Sequence, residues 1–399
     1  MKITSPRRIV GSNAERTRLH NRQVVLGHVS EQQPVGRAEL ARISGLSTQA
    51  VSNIIAELVE DGFLAEAGRQ VAGRGLPALQ YRLNGHGAAA LGIEVRPDAM
   101  FGALVDLEGE TLFTTRIALT DSAPASVAAA AREIRAGALV ARPMKNQRLL
   151  GAGVVMPGPF GNVGISGAGQ SALQGWGETD ATALFEEALE TAVIVENDAT
   201  AAAVAERVRG VASGLRTYCF IYFGAGLGLG MVADGEVQRG AFGNAGEIGH
   251  VVVTPGGRQC ACGNRGCLET YASRIAARTE LAAAGIELAS ASDIERLYHE
   301  NNPALMAWLD AAAAPLSQAI GMIENLFDPE TVILGGAMPN AVLDHLIGGL
   351  SLAGGSVAVR PGRKTPRVMR GACGRLTAAL GGAALVIHDT ITPRIAAKT

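Results

Sequence analysis

The sequence predicts an α/β protein with a small helical module at its N-terminus. Segments with strand and helix patterns alternate from residue 86 onward, which is typical of the α/β class. Glycine supplies 51 of the 399 residues, well above its usual share of about 7%. This favours many tight turns between strands and helices. With 48% hydrophobic and only 4% aromatic residues, the cores are expected to be aliphatic, and the length allows two or three domains.

Charge and apolar runs limit the choice of partners. Residues 1–85 contain eleven Lys and Arg and seven Asp and Glu, which gives a charge of +4. Because the whole chain has a net charge of −2, the remaining residues carry −6. A basic module on an acidic body suggests that only the first part contacts nucleic acid. The N-terminus lacks the apolar stretch of a signal peptide, and no run of eighteen apolar residues occurs. We expect a soluble, cytoplasmic protein without a membrane partner.

Two helices joined by a tight turn are predicted in the basic module. The first begins near Pro34 and ends at Ser44-Gly45, and Ser47 then caps the second. The apolar positions recur at helical spacing in both. The first is predicted to bury Ala38, Leu40, Ala41 and Ile43, and the second Val51, Ile54, Ile55, Leu58 and Val59.

The segment from Phe63 to Leu83 resembles a β-hairpin wing behind these helices. Two helices, a tight turn and a basic wing predict a winged helix-turn-helix over residues 1–85, which binds double-stranded operator DNA. A three-helix packing module without a DNA role is the alternative. The candidate contacts are the polar groups at the start of the second helix and two arginines of the wing: Thr48, Gln49, Ser52, Asn53, Arg69 and Arg74.

Four potential metal ligands lie within eighteen residues: His250, Cys260, Cys262 and Cys267. One imidazole and three thiolates are the donor set of a closed tetrahedral zinc site. Reduced, unliganded thiols are the alternative interpretation. Because four protein ligands leave no open position, the predicted Zn²⁺ is structural. The glycines between the ligands allow the loop to fold around one ion: Gly256, Gly257, Gly263 and Gly266.

The segments that follow the module support the α/β class. The cysteines outside the cluster stand alone in apolar runs, so no disulfide framework is indicated. The glycine-rich segment 224–230 is predicted to be a loop. Strands are predicted over residues 89–95, 100–105, 111–119, 149–155, 192–195, 218–223 and 331–334, and helices over 125–140, 200–209 and 304–327.

Six motifs follow one another along the chain: Pro157-Gly158-Pro159, Glu196-Asn197-Asp198, the segment 224–230, Ala245-Gly246-Glu247 with His250, the cysteine cluster and Gly335-Gly336. Their order resembles that of the ROK family over residues 88–390. The resemblance implies a two-lobed actin-like (ribonuclease-H-like) fold, shared by sugar kinases and related repressors. Members with an N-terminal winged helix-turn-helix are typically sugar-responsive regulators, similar to xylose- and N-acetylglucosamine-type repressors.

The resemblance also implies roles for individual residues. Sugar hydroxyls would be bound by Asn197, Asp198, Glu247, His250 and Glu269, and Asp198 would be the catalytic base of a kinase. His250 would use one ring nitrogen for the metal and the other for the sugar. The first lobe is expected over residues 86–200, completed by a C-terminal helix at 376–395, and the second lobe over 201–375 with the zinc loop.

The phosphate loop departs from the family pattern. Kinases have an Asp-x-Gly-Gly-Thr type loop where this chain has Arg96-Pro97-Asp98. Pro97 removes a backbone donor, and Asp98 would repel a phosphate by about a few kcal/mol in a partly dry site. Ala225 also stands where kinases usually offer a threonine. We therefore expect no kinase activity, with Asp198 a vestigial base in a sugar sensor.

The sensor hypothesis is that a sugar between the lobes changes their closure. Closure would alter the spacing of two helix-turn-helix modules in a homodimer or a dimer of dimers. Three alternatives remain open: a sugar kinase with an appended DNA-binding domain, a repressor controlled by a protein partner, and a purely structural zinc protein. Sugar selectivity is predicted to come from residues 161–176, with Gly164, Gln170 and Ser171 as candidates.

Overall fold

The computed structural model describes residues 14–70, 77–141, 148–158, 173, 175–177, 179–224, 226–288 and 292–392. Several residues singled out in the sequence lie outside these ranges: Arg74, Pro159, Gly164, Gln170, Ser171 and Ala225.

The N-terminal module contains the predicted helix-turn-helix and wing. Gly45 ends the first of the two helices with a φ of 70°, a left-handed conformation that favours glycine. The Ser47 hydroxyl caps the next helix by accepting a hydrogen bond from the Ala50 amide at 3.2 Å. The elements are α1 (Ala14–Gln32), β1 (Val35–Gly36), α2 (Arg37–Ser44), α3 (Thr48–Glu60), β2 (Leu64–Gln70) and β3 (Ala78–Leu83). The strands form an antiparallel sheet in the order β1-β3-β2.

The burial of two residues in the module differs from the prediction, and the structure locates Arg69. Ala38 is exposed, because the short helix α2 fully buries only Leu40. Val59 is 38% exposed, since it lies about 100° around the helix from the buried Leu58. Arg69 lies within strand β2, before the tip of the wing.

Two lobes follow the module, each built on a five-stranded sheet. The first contains β4 (Ala88–Val95), β5 (Ala99–Asp106), β6 (Thr111–Ala118), α4 (Pro124–Ala141), β7 (Arg148–Met156), α5 (Ala181–Leu189), β8 (Val193–Asn197) and α6 (Asp198–Arg209). The second contains β9 (Tyr218–Phe223), β10 (Leu227–Ala233), β11 (Glu236–Val237), α7 (Glu269–Ala272), α8 (Arg274–Ala283), α9 (Ser292–His299), α10 (Pro303–Phe327), β12 (Val332–Gly336), α11 (Asn340–Gly348) and β13 (Val368–Arg370). The last helix is α12 (Thr377–Ile391).

The two five-stranded sheets have the same topology. Their orders are β6-β5-β4-β7-β8 and β11-β10-β9-β12-β13. In each sheet the first three strands pair antiparallel and the last two are added in parallel. This repeat is the two-lobed arrangement that the motif order implies. The described helices include none with the length and apolar character required to traverse a bilayer.

The elements predicted from residue 86 onward are present, with one correction. Most of the glycine-rich segment predicted as a loop is strand β10, which begins at Leu227 and pairs with β9. Glycine is a poor strand former, but here it allows helix α6 to approach the sheet. A Cβ on Gly230 would lie 2.2 Å from the carbonyl oxygen of Ala199.

Helix α12 returns to the first lobe and packs directly on its sheet. A Cβ on Gly153 of β7 would lie 2.0 Å from the carbonyl oxygen of Gly382 in α12. A Cβ on Gly92 of β4 would lie 1.8 Å from that of Ala379. The other side of α12 meets α6, where a Cβ on Gly381 would lie 1.9 Å from the Ala201 carbonyl oxygen. Backbone therefore contacts backbone along this helix, and no side chain fits between.

The N-terminal module shares a hydrophobic core with the first lobe. Leu26 and Val29 of α1 belong to the same buried cluster as Ala383 and Ile387 of α12. The Gln23 amide also donates a hydrogen bond of 2.9 Å to the Asp389 carbonyl oxygen. A movement of α12 will therefore be transmitted directly to the module.

The close packing of α12 on strands β4 and β7 predicts how a substitution there changes stability. We expect Gly153→Ala to lower the free energy of unfolding by roughly 2–3 kcal/mol, because the added methyl group meets fixed backbone. Gly321→Ala in α10 is the matched control, since no atom lies within 4 Å of its Cβ position. It should be neutral or stabilising by about 0.5–1 kcal/mol. Chemical denaturation measures both, and equal effects would contradict the packing described here.

Candidate functional site

The candidate site is a cleft between the two lobes. The carboxyl ends of adjacent strands face it, as expected for ligand sites of open α/β sheets. From the first lobe come Glu94 near the end of β4, Gly158 after β7, and Asn197 and Asp198 after β8. The second lobe supplies Gly224 after β9, and the loop between β11 and α7 closes one side.

The four predicted metal ligands lie together in that loop. Their ligand atoms are all within 4.8 Å of one another. The His250 Nδ1 and Cys260 Sγ atoms are 3.6 Å apart, and the Cys262 and Cys267 sulfurs are 3.7 Å apart. Four ligands about 2.3 Å from a tetrahedral zinc would be separated by about 3.8 Å. The cluster can therefore hold a metal ion of this kind.

The loop around the cluster is held by its own backbone. Isolated bridges join Val252 to Cys267 and Gln259 to Arg265. Gly266 has a φ of 87°, and a Cβ there would lie 1.7 Å from the Thr254 carbonyl oxygen. Gly256 and Gly263 also adopt positive φ, as the prediction of a tightly folded loop requires. The loop positions His250 and Glu269 at the edge of the cleft.

Asn197 and Asp198 each use one side-chain oxygen to stabilise the start of α6. Asn197 Oδ1 accepts from the Ala199 and Thr200 amides, at 2.9 and 3.4 Å. Asp198 Oδ1 accepts from the Ala199 amide at 2.8 Å. Asn197 Nδ2 and Asp198 Oδ2 remain for a ligand, so these residues are helix caps and ligand-binding candidates at once.

The carboxylate of Asp198 is strongly perturbed. Removal from water, and then the negative charge of Glu94, raise its pKa from 3.8 to about 7. Glu247 adds to this shift, and Arg96 opposes it. A carboxyl group with a pKa near neutrality can accept or donate a proton at a ligand hydroxyl.

The other three predicted sugar-binding residues lie beside Asp198. A Cβ on Gly158 would be 2.9 Å from Asn197 Nδ2 and 3.3 Å from Glu247 Oε1. Burial raises the pKa of Glu247, and the nearby Glu269 carboxylate acts in the same direction. Glu269 Oε2 also accepts from the Leu227 amide at 3.2 Å. All five predicted residues are half-buried.

His250 connects the cleft to the metal-ligand cluster. Because its Nδ1 faces Cys260, Nε2 is the ring nitrogen left for other contacts. A metal on Nδ1 fixes the ring orientation. Sugar binding by Nε2 stays a prediction.

A buried ion pair occupies the place of the phosphate loop, and the sequence analysis did not foresee it. Arg96 donates from Nε and Nη2 to the Glu94 carboxylate at 2.6 and 2.8 Å, and Glu94 is only 3% exposed. The Tyr222 hydroxyl, from the second lobe, donates to Glu94 Oε1 at 2.7 Å. Arg96 also donates to the Arg375 carbonyl oxygen at 2.9 Å. These bonds connect the lobes beside the segment that departs from the expected phosphate loop, whereas Asp98 is exposed.

A second interlobe ion pair involves the first residue of the Glu-Asn-Asp motif. Arg239 Nε donates to Glu196 Oε2 at 2.6 Å, and the Glu196 side chain is 7% exposed. Glu196 also accepts from the Asn197 amide at 3.0 Å. Glu196 therefore helps to orient the Glu196-Asn197-Asp198 motif. Nothing in the local sequence signals the pairing, since the partners are 43 positions apart.

Five of the six predicted DNA contacts lie within the described residues, and Arg74 lies outside them. Thr48, Gln49 and Asn53 are exposed at the start of α3, and Ser52 is half-buried. Gln49 Nε2 donates to Asn53 Oδ1 at 3.0 Å. A concave surface of about 770 Å³ between helix α2 and the wing is lined by Thr48 and Arg69, among others.

Arg37 was not predicted but shares this surface. Its guanidinium donates to the Tyr81 hydroxyl from Nη2 at 2.6 Å and lies over the Tyr81 ring. Arg18 and Arg22 are instead paired with Glu57. Among the described residues, no acidic partner is found for Arg37 or Arg69, so their charges are available to phosphate groups.

The family model described as "ROK family" matches residues 90–389. The chain belongs to the ROK family. The match covers both lobes and helix α12, and it leaves the N-terminal module outside.

Relatives within the family include repressors and kinases. The xylose repressor of Bacillus spizizenii is 28% identical over 315 residues, which span 79% of this chain and 81% of the repressor. The crystal structure of a ROK family transcriptional regulator, a homologue of the E. coli Mlc protein, superimposes with a TM-score of 0.73 at 25% identity, covering 94% of this chain and 98% of the other. A ROK glucokinase from Streptomyces griseus, solved with glucose and AMPPNP, has a TM-score of 0.60 at 25% identity and covers 74% of this chain and 98% of its own.

The perturbed carboxyl of Asp198 predicts a pH-dependent stability. Between pH 4 and 7 the folded state holds a proton that the unfolded state has released, so this group's contribution to stability falls as pH rises. Asp198→Asn removes that proton site. At pH 8 the variant should be roughly 1–3 kcal/mol more stable than the native protein, with little difference at pH 4 and below.

Chemical denaturation across this pH range measures the effect. Asp234→Asn is the control, because Asp234 is exposed and has a φ of 52° that asparagine also tolerates. It should leave the pH profile unchanged. Parallel profiles for Asp198→Asn and the native protein would show that the carboxyl is not perturbed.

Proposed function

We propose that this chain is a DNA-binding transcriptional regulator, acting as a repressor, of carbohydrate uptake or metabolism genes. It responds to a sugar bound in the interlobe cleft. The observation that carries the proposal is the shared core of the helix-turn-helix module and helix α12. That helix also lies against the sheet whose strand ends form the cleft, so ligand and DNA act on one connected element.

The relatives support a regulator more than an enzyme. The similarity to a protein named xylose repressor extends over 79% of the chain, and the solved regulator covers 94%, including the module. Under this proposal, residues 1–85 bind DNA, residues 86–200 with 376–395 form the first lobe, and residues 201–375 form the second. The protein acts in the cytoplasm as a homodimer or a dimer of dimers, because such modules read two half-sites.

The sugar would be bound by the polar set gathered in the cleft. Asn197 donates through Nδ2, and Asp198, Glu247 and Glu269 accept hydrogen bonds from hydroxyl groups. Since Asp198 and Glu247 have raised pKa values, hydroxyl donors that stabilise their ionised forms are favoured ligands. A sugar that bridges residues of both lobes would favour a more closed cleft.

Structural zinc is the proposed cofactor. The ion would be held by four ligands that leave no open coordination position: His250, Cys260, Cys262 and Cys267. Its role would be to hold the loop in one conformation. The ligand spacing supports this role. The loop carries Glu247 before the first ligand and Glu269 after the last, so its order determines the sugar site.

DNA contact is assigned to the start of α3 and to the wing. Thr48, Gln49, Ser52 and Asn53 would reach base edges and phosphates in the major groove. Arg69, together with Arg37, would contact the phosphate backbone, and Arg74 belongs to the same predicted set. A change in α12 would re-orient these groups relative to the partner module.

A sugar kinase with an appended DNA-binding domain is the second candidate, favoured by the similarity to a ROK glucokinase. A kinase needs backbone amides and metal ligands around the γ-phosphate. Here the Glu94–Arg96 pair and Pro97 occupy that region. A coupled assay for ADP release with a panel of sugars separates the two functions, and turnover would establish the kinase.

Sugar binding is tested by thermal-shift and calorimetric titration with hexoses, pentoses and amino sugars. We expect at least one to bind below millimolar concentration. Glu247→Gln should weaken it about tenfold or more, because a charged acceptor is lost. Glu287→Gln, at an exposed position of the same lobe, should not. Absence of any sugar binder would refute the sensor.

Metal content tests the proposed cofactor. Elemental analysis should find about one zinc per chain. Cys262→Ser should lose the metal and lower stability by several kcal/mol, because metal binding contributes folding free energy. Cys373→Ser is the control, since this cysteine lies outside the cluster. Full zinc retention by Cys262→Ser would contradict the assignment.

The module's role predicts a specific salt dependence. Binding to duplex DNA should weaken as salt is added. Arg69→Ala should make the slope of the logarithm of the binding constant against the logarithm of the salt concentration shallower by about 0.9, because one phosphate contact is lost. Arg216→Ala removes the same charge from an exposed position on the second lobe. It should leave the slope unchanged in a fluorescence-anisotropy titration. Equal slopes for the two variants would place the DNA elsewhere.

A further inference from the structure

Arg37 and Tyr81 form a contact that ties the start of helix α2 to the wing. The Arg37 guanidinium donates from Nε and Nη2 to the Tyr81 hydroxyl oxygen, at 3.0 and 2.6 Å. The central carbon of the guanidinium lies 5.6 Å from the centre of the Tyr81 ring. Because two donors converge on one oxygen, the guanidinium is held in one orientation although Arg37 is exposed.

Tyr81 provides a rigid support for this orientation. It lies in the central strand β3, where it pairs with Val35 of β1 on one side and with Glu66 of β2 on the other. Its ring belongs to the hydrophobic core of the module, and the residue is only 2% exposed. The hydroxyl oxygen therefore has a fixed position, and so does the positive charge that it holds.

The charge of Arg37 is not neutralised by a carboxylate of the described module. Arg42, on the same helix, forms an ion pair with Glu39, and Arg82 of the wing forms one with Glu108. The acceptor for Arg37 is instead a neutral hydroxyl group. Its full positive charge therefore remains available to an anion.

A fixed orientation and a retained charge both favour binding of a phosphodiester group. A flexible arginine loses side-chain entropy when it contacts phosphate, whereas the Arg37 side chain is already ordered. Arg37 lines the concave surface between α2 and the wing together with Thr48 and Arg69. When the start of α3 enters the major groove, the backbone of one DNA strand would follow this surface.

We propose that Tyr81 is a positioning residue for DNA binding, because its hydroxyl holds the Arg37 guanidinium in the orientation that contacts a phosphate group of duplex DNA. The proposal rests on the proposed DNA-binding function and adds to it a residue that does not itself touch DNA. Loss of the hydroxyl leaves the charge of Arg37 in place but releases its side chain. Affinity for DNA then falls without a change in the number of phosphate contacts.

The test is a double-mutant cycle of Tyr81→Phe and Arg37→Ala in the full-length protein. Binding of a short mixed-sequence DNA duplex is measured by fluorescence anisotropy over a range of salt concentrations. Tyr81→Phe should weaken binding about twofold to tenfold, the cost of ordering one flexible side chain, and should keep the native salt dependence. Arg37→Ala should weaken binding further, and its logarithmic salt dependence should be shallower by about 0.9, because a phosphate contact is lost.

The cycle distinguishes positioning of Arg37 from a purely structural role of Tyr81. In the Arg37→Ala background, Tyr81→Phe should have no further effect on DNA affinity, because the group that it positions is absent. An equal loss of affinity in both backgrounds would show that Tyr81 acts through the fold of the module, and it overturns the proposal. Native affinity in Tyr81→Phe, or a native salt dependence in Arg37→Ala, also overturns it.

A matched control makes the same chemical change in the second lobe. The Tyr298 hydroxyl lies 3.4 Å from His345 Nδ1, between helices α9 and α11, and Tyr298→Phe should leave DNA binding unchanged. Thermal unfolding verifies that each variant is folded. Because Arg37 is exposed, the salt dependence of Arg37→Ala tests the phosphate contact even if Tyr81→Phe is less stable.

The outcomes also separate the role of Tyr81 from DNA binding itself. If the native protein binds no duplex DNA, the DNA-binding function and the positioning role are both refuted. If the native protein and the variants of the cycle bind equally well, the DNA-binding function stands and only the positioning role is refuted.

Discussion

The backbone-to-backbone packing of helix α12 on strands β4 and β7 determines how the molecule is connected. Close approach of this kind requires glycine on the facing strands and small residues on the helix, and Gly92, Gly153 and Gly382 satisfy it. Interiors packed this densely do not deform smoothly. Strands, helix and N-terminal module therefore form one continuously packed unit.

Contacts across the cleft determine the balance between its more open and more closed states. In the described structure, the lobes are joined by Tyr222 to Glu94 and by Arg239 to Glu196. Both acceptors are nearly buried carboxylates at the strand ends of the first lobe. A ligand that changes the charge around them changes the interlobe bonds themselves. This is the differential interaction that a population shift requires.

Local patterns predicted the architecture well. Gly45 and Ser47 marked the turn of the module, and apolar runs located seven strands of the two lobes to within two residues. Strand β10 was missed because its alternating glycines have low strand propensity, and pairing with β9 overrides that preference. Helix α5 and strand β13 were not recognised as separate elements, because each is short and is stabilised mainly by tertiary contacts.

Some residues of the candidate site were likewise predicted from the sequence, and others were not. The acidic and metal-binding residues were found because each lies in a compact sequence motif. Arg96 was noted only for what it replaced, and Tyr222 was not noted at all. Tyr222 lies 128 positions from its partner Glu94, and no spacing rule joins residues at such separation. The electrostatics of the cleft therefore became visible only in the folded chain.

The shared core between the DNA-binding module and α12 limits how such proteins can be rebuilt. Cutting the chain after the wing would leave Leu26 and Val29 without the apolar surface that now covers them. A transplanted module would meet an unmatched surface unless the last helix of its donor came with it. The N-terminal module and helix α12 would therefore have to be transferred together, although most of the chain lies between them in the sequence.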